Sequence, residues 1–185
     1  NQYGKEKTEK ILAASLTETH VSFRFKRNVT KERRLKILEE MKKDGVEIVL
    51  SKDFDNVFKT NGTGNIAELA AMKSGEITVQ DLSSVIMCEN VPFGEKILDA
   101  CAAPGGKSMS ISEMYPEAQI TACDISTDKL VRMNDNFKRL RLSNITVVKA
   151  DASEFREDFF EKYDVVLVDV PCSGLGVVGK KQDIK

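Results

Sequence analysis

The chain is 185 residues long, 41% hydrophobic and 31% charged, with 28 Lys/Arg against 29 Asp/Glu, a composition that fits one large or two small soluble globular domains. No apolar run approaches the roughly 18 residues of a membrane helix, and no basic-then-apolar leader opens the chain, so a cytoplasmic protein without membrane contact is expected. Four scattered cysteines (Cys88, Cys101, Cys123, Cys172), no Cys-x-x-Cys pair and one histidine, His20, argue against a metal site or a disulfide framework and for a reducing compartment.

The chain starts at Asn1 rather than Met, and a piece of a longer protein is expected. Charge is uneven: residues 1–44 hold 12 Lys/Arg against 7 Asp/Glu, residues 45–90 hold 3 against 7, and residues 91–185 hold 13 against 15. The densest basic stretch, "RFKRNVTKERRLK" at 24–36, reads either as a track for a phosphate backbone or as a solvated helix face with intrahelical ion pairs.

In chain order, residues 3–15 form a short helix. "HVSFRFKRN" alternates Val21, Phe23 and Phe25 with polar residues, the period of a half-buried strand. Thr30 caps a helix carrying Leu35, Leu38 and Met41 and ending at Gly45. "VEIVL" is a strand, 56–60 fits another, "NIAELAAMKSG" is a short helix, "EITVQD" a strand and 82–90 a helix. This is an α+β domain of ferredoxin-like order, a plan shared with RNA-recognition domains. From Pro92 the pattern changes. "KILDA" is a strand, a glycine turn leads into a helix ending at Tyr115, and "AQITACD" is a strand. Ser126 caps a helix with Leu130, Met133, Phe137 and Leu140 on one face; "ITVVKAD" is a strand, 153–162 is helical, and "YDVVLVDVP" is a strand buried on both sides. Alternating strands and helices predict a parallel, doubly wound α/β sheet.

The turn "DACAAPGGKS", 99–108, decides the ligand class. A phosphate loop needs Gly at 101, where Cys101 stands, and Pro104 removes a backbone donor. The adjacent Gly105 and Gly106 do not match the dinucleotide fingerprint either. The position, between first strand and first helix, is where such sheets bind nucleosides. Asp99, Asp124, Asp151 and Asp169 end consecutive strands. Four carboxylates repel a diphosphate and suit a cationic ligand with a ribose, which S-adenosylmethionine is. Taken singly, each Asp also reads as a helix cap.

The acceptor is suggested by "DVPCSGLG", 169–176. Amino-methylating enzymes place an aromatic residue after the proline; here Cys172 follows Pro171. A thiolate adding to carbon 6 of a pyrimidine makes carbon 5 nucleophilic, after which a base must remove the carbon-5 proton. The thiolate needs a lowered pKa; otherwise a lone cysteine is a small buried hydrophobe, the reading given to Cys88, Cys123 and Cys101.

"DACAAPGGK" together with "DVPCSGLG", and Asp124 and Asp151 between them, resembles the RNA 5-methylcytosine methyltransferases that act on bacterial 16S ribosomal RNA. The resemblance covers nearly the whole chain. It implies a Rossmann-like S-adenosylmethionine-dependent methyltransferase sheet, truncated after its fourth strand, over 91–185; a small α+β ferredoxin-like domain over 20–90 with possible RNA contact; and a helical linker, 1–19, from an absent N-terminal domain. By residue, it implies that Cys101, Ala102, Ala103, Pro104, Gly105, Gly106 and Lys107 line the methionine side of the cofactor. Asp124 holds the ribose, Asp151 lies beside the adenine, and Asp169 faces the cytosine and cofactor. Cys172 matches the cysteine that assists product release; the attacking cysteine of the family lies in a Thr-Cys motif that this chain lacks, so the chain alone is expected to be inactive. Ribosomal RNA is the implied partner. Two other readings stand beside this one: an RNA-binding module without catalysis, and a methyltransferase acting on an amine or small molecule.

Overall fold

The computed structural model describes residues 3–15, 20–52, 54–61 and 68–170. Helix α1 (Gly4–Ser15) is bound within itself by exposed ion pairs such as Lys10–Glu6 at 2.7 Å. It stands outside the unit formed by residues 21–169, which contains two four-stranded sheets.

The first sheet comprises β1 (Val21–Phe25), β2 (Glu47–Leu50), β3 (Val57–Asn61) and β4 (Ile77–Val79), with α2 (Lys31–Lys43) and the single turn α3 (Ala70–Lys73) between strands. Its order is β2-β3-β1-β4 and every pairing is antiparallel, the ferredoxin-like arrangement expected. Thr30 caps α2 by accepting from the Arg33 amide at 3.3 Å, and Gly45, at φ +79°, reverses the chain after it. The buried face of α2 is Ile37, Leu38 and Met41; Leu35 is exposed. At about 100° per residue, two three-residue steps rotate Leu35 about 120° away from Met41. Of the helix expected over "NIAELAAMKSG", the described part is helical only at Ala70–Lys73, and its first residues lie outside the described ones.

Strand β1 is buried on both faces, not one. Phe23 and Phe25 pack with Phe58 under α2, the Phe23 and Phe58 rings stacked at 5.2 Å. The opposite face carries Ser22, Arg24, Thr78 and Gln80, all buried as well, because it packs on the second sheet's first helix. The basic stretch is used in part for this packing, through Arg24, Lys26 and Arg27, and in part within the first sheet's own layer. Arg24 pairs with Glu113, Lys26 donates to the Leu140 carbonyl, Arg27 pairs with Glu89, and Arg33 with Glu76 and Glu40; Arg34 donates to the Val29 carbonyl and covers the Phe25 ring. Only the Arg33–Glu40 pair is intrahelical; the others tie separate elements together.

After α4 (Leu82–Glu89) come β5 (Lys96–Asp99), α5 (Gly106–Met114), β6 (Gln119–Asp124), α6 (Thr127–Arg139), β7 (Ile145–Lys149) and β8 (Val165–Leu167). The second sheet is parallel throughout, in order β7-β6-β5-β8. One face packs Ile97, Ile120, Ala122 and Leu167 against Cys88, Ile111, Met109, Met133 and Phe137 of the helices. On the other face, Leu98, Cys123 and Ala150 meet Phe159 and Tyr163.

Two expectations fail here. Residues 153–162 hold only a 3-10 turn, Glu157–Phe159. Arg156 donates to Asp158, two residues on, and to the Lys149 carbonyl, contacts a regular helix does not provide because i,i+2 side chains do not face each other. Strand β8 is not buried on both sides: among the described residues it is the edge of the sheet, and Val166 and Val168 are 54% and 62% exposed. Among the described residues no helix is long and apolar enough to cross a membrane.

Candidate functional site

Parallel strands deliver all their carboxyl ends to one edge. The four acids therefore line up as Asp151, Asp124, Asp99 and Asp169, in the strand order β7-β6-β5-β8. At about 4.8 Å per strand this row is roughly 14 Å long. Their surroundings differ sharply.

Asp99 is 1% exposed. Its Oδ2 accepts from the Ser108 hydroxyl at 2.6 Å, while Oδ1 has no hydrogen-bond partner among the described residues. Burial pushes its carboxyl above the usual range, against the pull of the Ser108 hydroxyl and Lys107. Asp124 is also buried; its Oδ1 accepts from the Ser126 amide at 3.0 Å and its Oδ2 lies 3.6 Å from Lys129 Nζ. Ser126 precedes α6 as expected, but its own side chain caps nothing. Asp151 Oδ1 accepts from the Ser153 hydroxyl at 2.6 Å and amide at 2.9 Å, and these bonds hold its carboxyl below the usual range. Asp169 is exposed and accepts from Lys107 Nζ.

The turn from β5 to α5 lies among these acids. The Ala102 amide donates to the Cys123 carbonyl and the Gly105 amide to the Ala102 carbonyl, both at 2.7 Å. Gly105 has φ +97°, and a Cβ there would stand 2.8 Å from Phe137 Cε1 and 2.9 Å from Met133 Cγ. Only glycine fits, on both backbone and steric grounds. Burial pushes the Cys101 thiol's pKa up, and the carboxylates of Asp124, Asp99, Asp169 and Asp151 push it further. Cys101 is therefore held as a thiol. Two of the four acids are ion-paired, Asp169 with Lys107 and Asp124 with Lys129.

Two grooves adjoin the row of acids. One, of about 380 Å³, is lined by Leu98, Cys123, Asp151, Phe155 and Val168; the other, of about 420 Å³, by Met87, Val91, Pro92, Lys107 and Asp169. The structure thus brings together Cys101 through Lys107 and the four acids. Cys172 and the rest of "PCSGLG" lie outside the described residues. Sequence reasoning missed Ser108, Lys129 and Ser153. The Asp-x-Ser spacing at 151–153 is a legible Asx-turn signal; nothing local marks Ser108 as the partner of Asp99.

A family model described as 16S rRNA methyltransferase RsmB/F matches residues 87–185. The chain is 35% identical over 190 residues to a probable ribosomal RNA small subunit methyltransferase B of Bacillus subtilis (strain 168), covering 99% of this chain and 41% of that protein. To the ribosomal RNA small subunit methyltransferase B of Klebsiella pneumoniae (strain 342) it is 37% identical over 152 residues, 78% of this chain and 34% of that one. The chain thus spans less than half the length of these relatives. Among solved structures, PH0851 superposes with a TM-score of 0.86 at 28% identity, over 97% of this chain and 41% of that chain. NSun6 from Pyrococcus horikoshii, solved with SFG, superposes with a TM-score of 0.81 at 21% identity, over 96% of this chain and 70% of that one, a likeness of fold.

Proposed function

The chain belongs to the 16S rRNA methyltransferase RsmB/F family, and from that premise we propose that it carries the cofactor half of an S-adenosylmethionine-dependent enzyme that methylates carbon 5 of a cytosine in 16S ribosomal RNA. The observation that carries this reading is the row of four acids at the carboxyl edge of the parallel sheet, beside a turn that only glycine fits. Such a field disfavours phosphates and favours a cation. Bound S-adenosylmethionine would bring a sulfonium, an ammonium and a transferable methyl group. The buried carboxylate of Asp124 suits the ribose hydroxyls, and Asp151 suits the adenine beside the groove of about 380 Å³. The segment from Cys101 to Lys107 suits the methionine side. The solved structure of NSun6 with SFG shares this fold.

Asp169 and Lys107 line the second groove together, which suits the acceptor base. Cytosine carbon 5 becomes nucleophilic only after a thiolate adds to carbon 6, and a base must later remove the carbon-5 proton. Cys172 would assist product release. The attacking cysteine is assigned to a Thr-Cys pair, and no such pair occurs in the 185 residues. The chain by itself would bind cofactor without turnover. The non-enzymatic RNA-binding reading gains little from the basic stretch, whose Arg24, Lys26, Arg27, Arg33 and Arg34 have intramolecular partners.

Calorimetric titration of the chain with S-adenosylmethionine, ATP and NADH tests the cofactor half. Selective binding of S-adenosylmethionine, abolished in Asp124→Ala, is expected; equal binding of ATP, or none of any ligand by a cooperatively melting chain, overturns it. For the acceptor, the full-length protein should form a covalent adduct with ribosomal RNA carrying 5-fluorocytosine, and absence of the adduct under turnover conditions contradicts the cytosine assignment.

A further inference from the structure

The first turn of α5 is gripped from the other sheet. Its N-cap residue is Gly105, which offers no side-chain cap. Gln80, just after β4 and 5% exposed, reaches this turn from the first sheet and binds its carbonyl side, not the free amides that a cap would take. Its Nε2 donates to the Gly106 carbonyl at 3.1 Å, and its Oε1 accepts from the Ser110 hydroxyl at 2.8 Å, so the amide spans one helical turn. The same Oε1 accepts from Arg24 Nε at 2.8 Å. A guanidinium only donates, so Arg24 dictates which end of the amide faces it and leaves the nitrogen for Gly106. Arg24 is itself fixed by Glu113, at 2.7 and 3.1 Å, in a pair whose side chains are 2% and 3% exposed.

The gripped turn carries the site. Lys107 Nζ reaches Asp169, and the Lys107 carbonyl lies 3.9 Å from Cys88 Sγ. The Ser108 hydroxyl binds Asp99. Three consecutive residues, Gly106, Lys107 and Ser108, are thus tied to four different parts of the fold.

We propose that Gln80 is a positioning residue for cofactor binding: through the Gly106 carbonyl, the ferredoxin-like sheet sets where the turn stands relative to Asp99 and Asp169. This rests on the S-adenosylmethionine reading above. The first sheet is then part of the cofactor machinery although none of its strands reaches the acids.

Gln80→Glu separates this role from simple support. A carboxylate keeps an acceptor for Arg24 and for Ser110, but it presents an oxygen instead of an N–H to the Gly106 carbonyl. The variant is expected to melt within a few degrees of the natural chain and to bind S-adenosylmethionine about tenfold more weakly, the effect of one buried hydrogen bond. Amide hydrogen exchange should accelerate at residues 106–109 and not in β1 or β3, with or without ligand. If Gln80→Glu does not melt cooperatively, Gln80→Met, of similar length and without a donor, is measured in its place. Unchanged affinity in the folded variant, while Asp124→Ala abolishes binding, overturns the positioning role alone. Unchanged exchange at 106–109 also overturns it. Failure of the natural chain to bind S-adenosylmethionine overturns the cofactor reading and this role with it.

Discussion

The seam between the two sheets and the carboxyl edge of the parallel sheet are both rich in charge, and they treat it in opposite ways. In the seam, Arg24 and Glu113 are buried as a bidentate pair, Gln80 uses both ends of its amide, and Arg139 donates to the Met72 and Ile77 carbonyls. At the edge, Asp169 and Asp124 are ion-paired with Lys107 and Lys129, and Asp99 keeps a buried oxygen without a partner among the described residues. A saturated polar network specifies how two layers dock; an unsaturated one is a place for something else to bind. On the proposed reading, the difference separates groups that hold the fold from groups that meet the cofactor.

Breaking the seam should give the largest effect. Arg24→Met leaves Glu113 buried without its counter-charge and should cost about 3–5 kcal/mol, read from urea denaturation. Adding Glu113→Leu should recover most of that loss; a double variant no more stable than the single one contradicts the pairing.

At the edge the expectation reverses. The Asp99 carboxyl is pushed up by burial, so between its ordinary value, near pH 4, and its raised folded value, the folded chain holds the proton that the unfolded chain has lost. Stability should therefore fall as pH rises through that window. Asp99→Asn should flatten this slope without destabilising the fold at neutral pH, and should weaken S-adenosylmethionine binding. A slope that survives in Asp99→Asn, measured by urea unfolding across the window, would assign it to another group.

The parallel sheet was legible in the sequence because each strand is a short apolar run with an acid at or just past its end, and because α6 has a clear apolar face. The glycine turn was legible because Pro104, Gly105 and Gly106 fit neither phosphate motif. The seam was not. Val21, Phe23 and Phe25 announce one buried face of β1, but alternation says nothing about what covers the other, and Arg24 looks like an exposed base until Glu113, 89 residues on, is placed against it. Gln80 was invisible for the same reason: its partners Arg24, Gly106 and Ser110 are assembled only by docking of the sheets. Residues 153–162 failed differently, since local side-chain bonds there took the place of helical ones.

Asp151 gives the finest test of the contrast. It sits on the same edge as Asp99 but in the opposite state: the Ser153 hydroxyl, and next the Ser153 amide, hold its carboxyl low. A carboxyl whose folded pKa is depressed adds stability above its ordinary value and loses it as pH falls through the folded value. Ser153→Ala removes the hydroxyl and leaves the amide. The Asp151 pKa should rise toward the ordinary range without reaching it, as followed by carbon-13 NMR of the carboxyl. Stability at neutral pH should hardly move, because Ser153 is exposed and the bond it makes to Asp151 lies at the surface. Cofactor affinity should fall only about two- to threefold, since Asp151 keeps its charge and loses one orienting bond. A larger loss of affinity, with the carboxyl titrating as before, would mean that the Ser153 hydroxyl itself meets the ligand. The acids at this edge would then act with their hydroxyl partners as pairs, and the Ser108 hydroxyl bound to Asp99 would be the next one to test.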